Sequence, residues 1–298
     1  MIERLINSLE ARKIEYYRNV SLSTLSTFRV GGHGELGIFP KSADELIFCL
    51  SETMTAGLTY HVIGNGSNIL FLDGNLAGVF IFTKGLNRIE ISGNTVRAEA
   101  GATLSATATA AAKASLCGLE FAKGIPGCIG GAVFMNAGAY GGQMSDVVTL
   151  STCYDTSSGR ITSIDDHRFS YRKSIYEENP SLICLSVEMK LGKGNTEDIL
   201  KKCDEYAQKR RQSQPLEYPS AGSYFKRPEG YFAGKLIEDC GLKGLSVGGA
   251  AVSEKHAGFI INRADATAAD ILSLEEKIKN AVYKKFGVEL EREVRVIG

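Results

Sequence analysis

Apolar positions along the chain switch between two periods, and the switches mark the elements. Ile2, Leu5 and Ile6 among charged neighbours predict an amphipathic helix at the start. Ser42-Ala43-Asp44-Glu45 is a capping box, opening a helix with Leu46, Ile47, Leu50 and Met54 on one face. Short apolar runs predict strands at Tyr60–Ile63, Ile69–Leu72, Val79–Phe82 and Thr95–Ala100, and an alanine-rich helix follows from Thr103 to Ser115. From Val147 the chain reads as a meander: Val147–Tyr154, a turn at Asp155–Gly159, Ile161–Ile164, then period-two alternation over Leu182–Leu191. Gly192-Lys193-Gly194-Asn195, short and polar, predicts a domain boundary. Beyond it the pattern predicts a charged helix (Thr196–Gln212), a long loop, a helix near Phe232–Cys240, and strands near Leu245–Val252 and Gly258–Asn262. A helix (Thr267–Phe286) and a strand (Val288–Val296) complete a small α+β domain.

Two glycine-rich segments interrupt these elements. Gly64-Asn65-Gly66-Ser67-Asn68 follows an apolar strand, and a second block runs from Gly124 to Gly142, with Gly127, Gly130, Gly131 and Gly138 inside it. The first approaches the dinucleotide fingerprint, but Ile69 replaces the third glycine and Ile69-Leu70-Phe71 reads as strand, against a Rossmann unit. Backbone N–H groups in a strand–loop–strand arrangement still suit a pyrophosphate, and the second block is placed to close over it.

Composition narrows the function classes. In 298 residues, 34 basic and 34 acidic side chains cancel without long runs of one sign, which recommends neither nucleic acid nor an anionic membrane surface. No stretch approaches the ~18 apolar residues of a membrane span, and the expected setting is cytoplasmic. Seven cysteines, never in C-x-x-C spacing, read as reduced and mostly buried, Cys128 among them. The four histidines form no metal-binding set, so no metal is expected. No obligate protein partner is visible.

The segment Pro219-Ser220-Ala221-Gly222-Ser223-Tyr224-Phe225-Lys226-Arg227-Pro228 sets a hydroxyl beside two cations and two aromatics. No G-x-S-x-G elbow surrounds Ser223, which disfavours a serine hydrolase. Together with Ser26-Thr27-Phe28-Arg29-Val30-Gly31-Gly32, the two glycine segments, Ser170-Tyr171-Arg172, Ala233-Gly234-Lys235-Leu236-Ile237, Val252-Ser253-Glu254-Lys255-His256 and Glu293-Val294-Arg295, it resembles the bacterial UDP-N-acetylenolpyruvoylglucosamine reductases. The motifs match in order over almost the whole chain.

That resemblance implies a fold and a chemistry. The fold would be α+β: a two-part FAD-binding domain of the p-cresol methylhydroxylase type over residues 1–194 (parts 1–85 and 86–194), and a substrate-binding domain over 195–298. NADPH would reduce noncovalent FAD, since neither glycine segment holds a histidine for covalent attachment. The nicotinamide would leave before UDP-N-acetylglucosamine enolpyruvate enters, giving ping-pong kinetics. Gly64, Asn65, Gly66, Ser67, Asn68 and Ile69 would hold the pyrophosphate, with Gly127, Gly130, Gly131, Ala132, Asn136, Gly138 and Ala139 enclosing the cofactor.

The motif match puts Arg172, Ser223 and Glu293 in the catalytic positions. Arg172 suits an anion that develops on a carboxylate-bearing carbon, and Ser223 would protonate that carbon. Glu293 either donates as a neutral acid or orients another donor. Lys226, Arg227, Lys235 and Arg211 are the cations available to the two phosphates, with Tyr171 as a further substrate contact. Many members of the family read Lys-Asn-Pro where this chain has Lys226-Arg227-Pro228. The short stretch from Tyr171 to Pro180 matches the subgroup without an inserted tyrosine loop, leaving Tyr140, Tyr176 and Tyr224 as candidates to shield the site. A sugar or hydroxy-acid oxidase on the same scaffold, or a non-catalytic sugar-nucleotide binder, are the alternative readings.

Overall fold

The alternation over Leu182–Lys190 places that strand at the centre of a five-stranded antiparallel sheet in a computed structural model, which describes residues 1–298. The strand order is Arg160–Ile164, Val148–Asp155, Leu182–Lys190, Thr95–Glu99, Ile89–Ser92. Val96, Ala98, Cys153, Val187 and Met189 face one core, and the helix Leu104–Lys113 packs into it through Leu104, Ala108 and Ala111, while Ala112 meets Ile199 and Cys203. Small side chains let that helix lie close to the sheet, and Thr103 caps its first turn by accepting the Ala106 N–H.

Two compact units account for the chain. The first comprises Met1–Arg18, Leu36–Asn65 and Gly78–Arg210; the second comprises Asn19–Glu35, Gly66–Ala77 and Arg211–Gly298. A second core of the first unit joins the helices Ile2–Ala11 and Ala43–Thr55, the latter capped by Ser42, to a parallel pairing of Tyr60–Ile63 with Val79–Phe82. The second unit is built on the helix Ala268–Phe286, which buries Ile271, Leu274, Ile278 and Val282 among Phe28, Val30, Leu70, Val252 and Ile260. A capping box between Thr267 and Asp270 starts that helix, and Gly287 ends it at φ 67°. Ser246–Val247, Ala250–Val252 and Ile260–Asn262 form an antiparallel sheet beside it, and Ile69–Phe71 pairs in parallel with Arg295–Ile297.

Three segments depart from the expected pattern. Ile129–Phe134, inside the second glycine block, is a helix, because Ile129, Ala132 and Val133 bury one face while the glycines hide the periodicity. Gly192–Lys193 is not a free connection; it pairs with Leu116–Cys117, and the first unit continues to Arg210. The strand expected over Val288–Val296 shrinks to Arg295–Ile297, since residues 288–294 make only one isolated bridge, between Arg292 and Phe225. No helix is long and apolar enough to cross a membrane.

Burial lowers the pKa of His61, His167 and His256 below 6.5. A histidine depressed in the folded state is protonated more readily in the unfolded chain, so its stabilising share is present above pH 6.5 and lost as pH falls below that value. The melting temperature should therefore decline below about pH 6.5, and His61→Phe, whose native ring packs on Phe80, should show a shallower decline. Identical slopes for the two proteins in thermal melts from pH 8 to 5 would contradict this.

Candidate active site

Cys128 ties the two glycine segments together within the first unit. It is 3 % exposed, and burial raises its thiol pKa, partly offset by N–H groups of Gly131 and Asn65 directed at the sulfur. It is therefore a packing thiol rather than a nucleophile. A Cβ on Gly64 would collide with Cys128 Sγ, which requires glycine there. Asn65 adds a second tie by donating from Nδ2 to the Pro126 carbonyl (3.0 Å).

The N–H groups of Gly66, Ser67 and Asn68 donate to no acceptor in the chain, although Gly66 is buried. Buried backbone donors are rarely left so, and three in succession suit an anion of pyrophosphate size. Gly66 sits at φ 62°, with Leu25 O at 2.6 Å from where a Cβ would stand. In the second block the N–H groups of Gly127, Gly130 and Ala132 are engaged by Ile125, Ala100 and Cys128 carbonyls. Those residues offer close approach, not hydrogen bonds. Asn136, buried at φ 41°, accepts the Ser145 N–H and donates to Gln143 Oε1 and the Ser170 carbonyl, so its amide belongs to the framework. Gly138 and Ala139 form a tight two-residue pairing with Gly142 and Gln143.

Within the second unit, backbone pairing brings Ser223 and Glu293 onto adjacent segments. The Glu293 N–H donates to the Tyr224 carbonyl (2.9 Å), the Lys226 N–H donates to the Glu291 carbonyl (2.8 Å), and Phe225 bridges Arg292. Asn68 Nδ2 donates to the Glu293 carbonyl (3.1 Å), and the Arg295 N–H returns to the Asn68 carbonyl (3.0 Å). Thr27 completes the seam: its N–H donates to the Gly66 carbonyl and its hydroxyl to the Ser220 carbonyl (2.8 Å). Ser223 is exposed and Glu293 half-buried.

Arg172 belongs to the first unit, at the tip of a turn closed by reciprocal backbone bonds between Ser170 and Lys173. Its φ is 58°, a left-handed conformation that a non-glycine residue holds only when its surroundings enforce it. Asn136 grips the turn at Ser170, and Ser174 donates to the Phe134 carbonyl (2.9 Å). Beyond these, His167 Nε2 and the Tyr176 hydroxyl converge on the buried Ser151 hydroxyl at 2.8 and 2.7 Å. Both ends of the Arg172 segment are thus fastened to one sheet strand. Tyr171 is exposed, its ring 5.4 Å from the Arg172 guanidinium.

The expected phosphate cations are dispersed. Lys226 and Arg227 line a cavity of about 340 Å³ with Glu229, Tyr231, Glu289 and Glu291, and Lys226 is paired with Glu291 (2.5 Å). Arg227 lies over the Phe232 ring at 4.2 Å. Lys235 pairs with Asp239 on its own helix, and Arg211 is exposed; neither lines that cavity. Two of the candidate shielding tyrosines are corrected: Tyr176 and Tyr224 are 3 % and 1 % exposed, their hydroxyls bound to Ser151 and Glu275. Tyr140 stays at the surface, stacked on Tyr206 with centroids 4.6 Å apart. Sequence reasoning passed over Arg210, which burial depresses from its usual pKa near Gly124 and Tyr140. The helical spacing Ile199, Cys203, Tyr206, Arg210 was the available signal.

A family model for the C-terminal domain of UDP-N-acetylenolpyruvoylglucosamine reductase matches residues 214–297, and an FAD binding domain model matches residues 35–165. A UDP-N-acetylenolpyruvoylglucosamine reductase of Caldanaerobacter subterraneus subsp. tengcongensis is 44 % identical over 299 residues, covering 100 % of this chain and 98 % of that protein. The protein of the same name from Clostridioides difficile is 47 % identical over 275 residues, covering 91 % and 90 %. The crystal structure of UDP-N-acetylenolpyruvylglucosamine reductase from Thermus caldophilus superposes with a TM-score of 0.80 at 33 % identity, covering 96 % of this chain and 99 % of that one.

The Gly64–Cys128 contact yields a direct test. Gly64→Ala should melt several degrees below the unsubstituted protein, and Gly64→Ala with Cys128→Ala should recover most of that loss. A double variant no better than the single one would place the collision elsewhere.

Proposed function

The chain belongs to the UDP-N-acetylenolpyruvoylglucosamine reductase family, and from that premise we propose how its residues divide the reduction of the enolpyruvyl group of UDP-N-acetylglucosamine enolpyruvate. The product is UDP-N-acetylmuramate, the lactyl ether of UDP-N-acetylglucosamine and a building block of peptidoglycan. The protein is an FAD-dependent oxidoreductase. FAD, when bound and reduced by NADPH, would supply hydride chemistry at the methylene carbon. The N–H groups of Gly66, Ser67 and Asn68 would hold its pyrophosphate, and the small residues Gly130, Gly131, Ala132, Gly138 and Ala139 would allow its close approach. The reaction takes place in the cytoplasm.

Hydride addition leaves negative charge on the carbon that bears the carboxylate. Arg172 grips that carboxylate with paired N–H donors, favouring the charged state. Ser223 then gives its hydroxyl proton to the carbon. A hydroxyl is a weak acid, but a carbanion-like centre is basic enough for a well-placed weak acid to serve. Glu293 assists in one of the two ways open to a carboxyl group beside an anion, as a neutral acid or by orienting another donor. Lys226 and Arg227, which share one cavity, receive the diphosphate, whose charge competes with Glu291 for Lys226.

The observation that carries this reading is the hydrogen-bonded seam of Thr27, Asn68, Tyr224 and Glu293. It gathers the glycine segment, the serine loop and the glutamate segment from three distant stretches of chain. A binder alone has no need of an exposed serine and a glutamate on two paired segments.

Anaerobic half-reactions test the assignment. NADPH should bleach the flavin, and the enolpyruvyl sugar should restore its colour with formation of the lactyl product. Ser223→Ala should bleach at the normal rate and recolour at least on the order of 100-fold more slowly. Unchanged recolouring would remove Ser223 as the donor, and bleaching without any response to the sugar nucleotide would favour an oxidase of another substrate.

A further inference from the structure

Glu275 is a buried acid outside the proposed proton-transfer machinery. It lies on the helix Ala268–Phe286 at 6 % exposure, in the same stripe as Ile271, Leu274 and Ile278. A carboxylate is costly there unless hydrogen bonded. Its Oε2 accepts from the Tyr224 hydroxyl at 2.8 Å and from Arg292 Nη1 at 3.1 Å, while Lys279 Nζ stands 3.6 Å from Oε1. Tyr224 directly follows Ser223 in the chain, and Arg292 directly precedes Glu293. One carboxylate oxygen therefore holds the immediate neighbours of both residues proposed to manage the proton.

We infer that Glu275 is a positioning residue for proton delivery, and that Tyr224 and Arg292 are the arms through which it sets the separation of Ser223 and Glu293. The inference rests on the roles proposed above for those two residues. The register is set by the Phe225–Arg292 bridge, made of the Glu293 N–H to the Tyr224 carbonyl and the Lys226 N–H to the Glu291 carbonyl, with Asn68 Nδ2 on the Glu293 carbonyl. That bridge is isolated, without the ladder of a regular sheet to stiffen it. Side chains anchored on a third element supply the missing rigidity. Displacements of about 1 Å can change a rate on the order of 100-fold even when the displaced group lies away from the reacting atoms. The helix offers a firm base, since it is capped at both ends and buries one face from Ala268 to Val282.

The test compares Glu275→Gln, Tyr224→Phe and Ser223→Ala in the FAD-loaded full chain, with each half-reaction followed separately. Glu275→Gln keeps the shape and one acceptor; Tyr224→Phe removes a single hydroxyl and serves if the first variant folds poorly. Recolouring at saturating enolpyruvyl sugar should slow on the order of 10- to 100-fold, with KM nearly unchanged and bleaching by NADPH unchanged. Amide hydrogen exchange should rise at Glu293, whose N–H closes the seam, while the helix Ala268–Phe286 keeps its protection. Normal recolouring in Glu275→Gln and Tyr224→Phe, where Ser223→Ala is slow, overturns the inference alone. Equal slowing of both half-reactions also overturns it, because that marks general loosening. Normal recolouring in Ser223→Ala overturns the proton-donor assignment and the inference with it.

Discussion

Hydrogen bonds from two residues, Thr27 through its N–H and hydroxyl and Asn68 through its amide, hold together the segments of the second unit that carry Ser223 and Glu293. Thr27 reaches the glycine segment at Gly66 and the serine loop at Ser220; Asn68 reaches Glu293. The strands flanking these contacts are only a few residues long, so ladder hydrogen bonds cannot fix the loops by themselves. Polar side chains that satisfy main-chain groups in another segment supply the constraint, and burial around them strengthens each bond. Phe28 and Val30, one and three residues beyond Thr27, are core residues, which locks the donor in place.

The same logic operates in the first unit with different chemistry. There a thiol, not an amide, spans two loops: Cys128 fills the space that Gly64 leaves, and the N–H groups of Gly131 and Asn65 face its sulfur. Around Arg172 the fastening is a buried Ser151 hydroxyl shared by His167 and Tyr176. A left-handed arginine stores backbone strain, and that strain persists only because both ends of its segment are tied down.

Regular elements were legible from local chemistry. Ser42 announces its helix by accepting the Glu45 N–H, although the Glu45 carboxylate takes the Lys41 N–H in place of Ser42's, and alternation over Leu182–Lys190 marks a central strand. Three kinds of feature were not legible. Glycines disguised the helix Ile129–Phe134, whose apolar spacing is too short to outweigh them. The assignment of Asn19–Glu35 and Gly66–Ala77 to the second unit depends on pairing with residues some 200 positions away, such as Thr27 with Ser220, and no local pattern encodes that. Glu275 reads as surface charge beside Glu276 and Lys277, although its place in the apolar stripe of its helix was a clue. Of the site, Ser223, Arg172, Glu293 and the glycine segments carry motifs, as do Thr27, Asn68, Cys128, Asn136 and Tyr224 among the residues that hold them; Ser151, His167 and Glu275 announce nothing by type.

The bond between Asn68 and Glu293 spans 225 residues, and this distance has a meaning for synthesis. At cellular rates of elongation, Asn68 emerges on the order of tens of seconds before its partner exists. During that interval the Gly66–Asn68 loop has no companion strand at Arg295–Ile297 and no glutamate segment to close on. The second unit is therefore assembled last, and a ribosome-bound chain that already displays the first glycine segment has not yet paired it with the segment of Glu293.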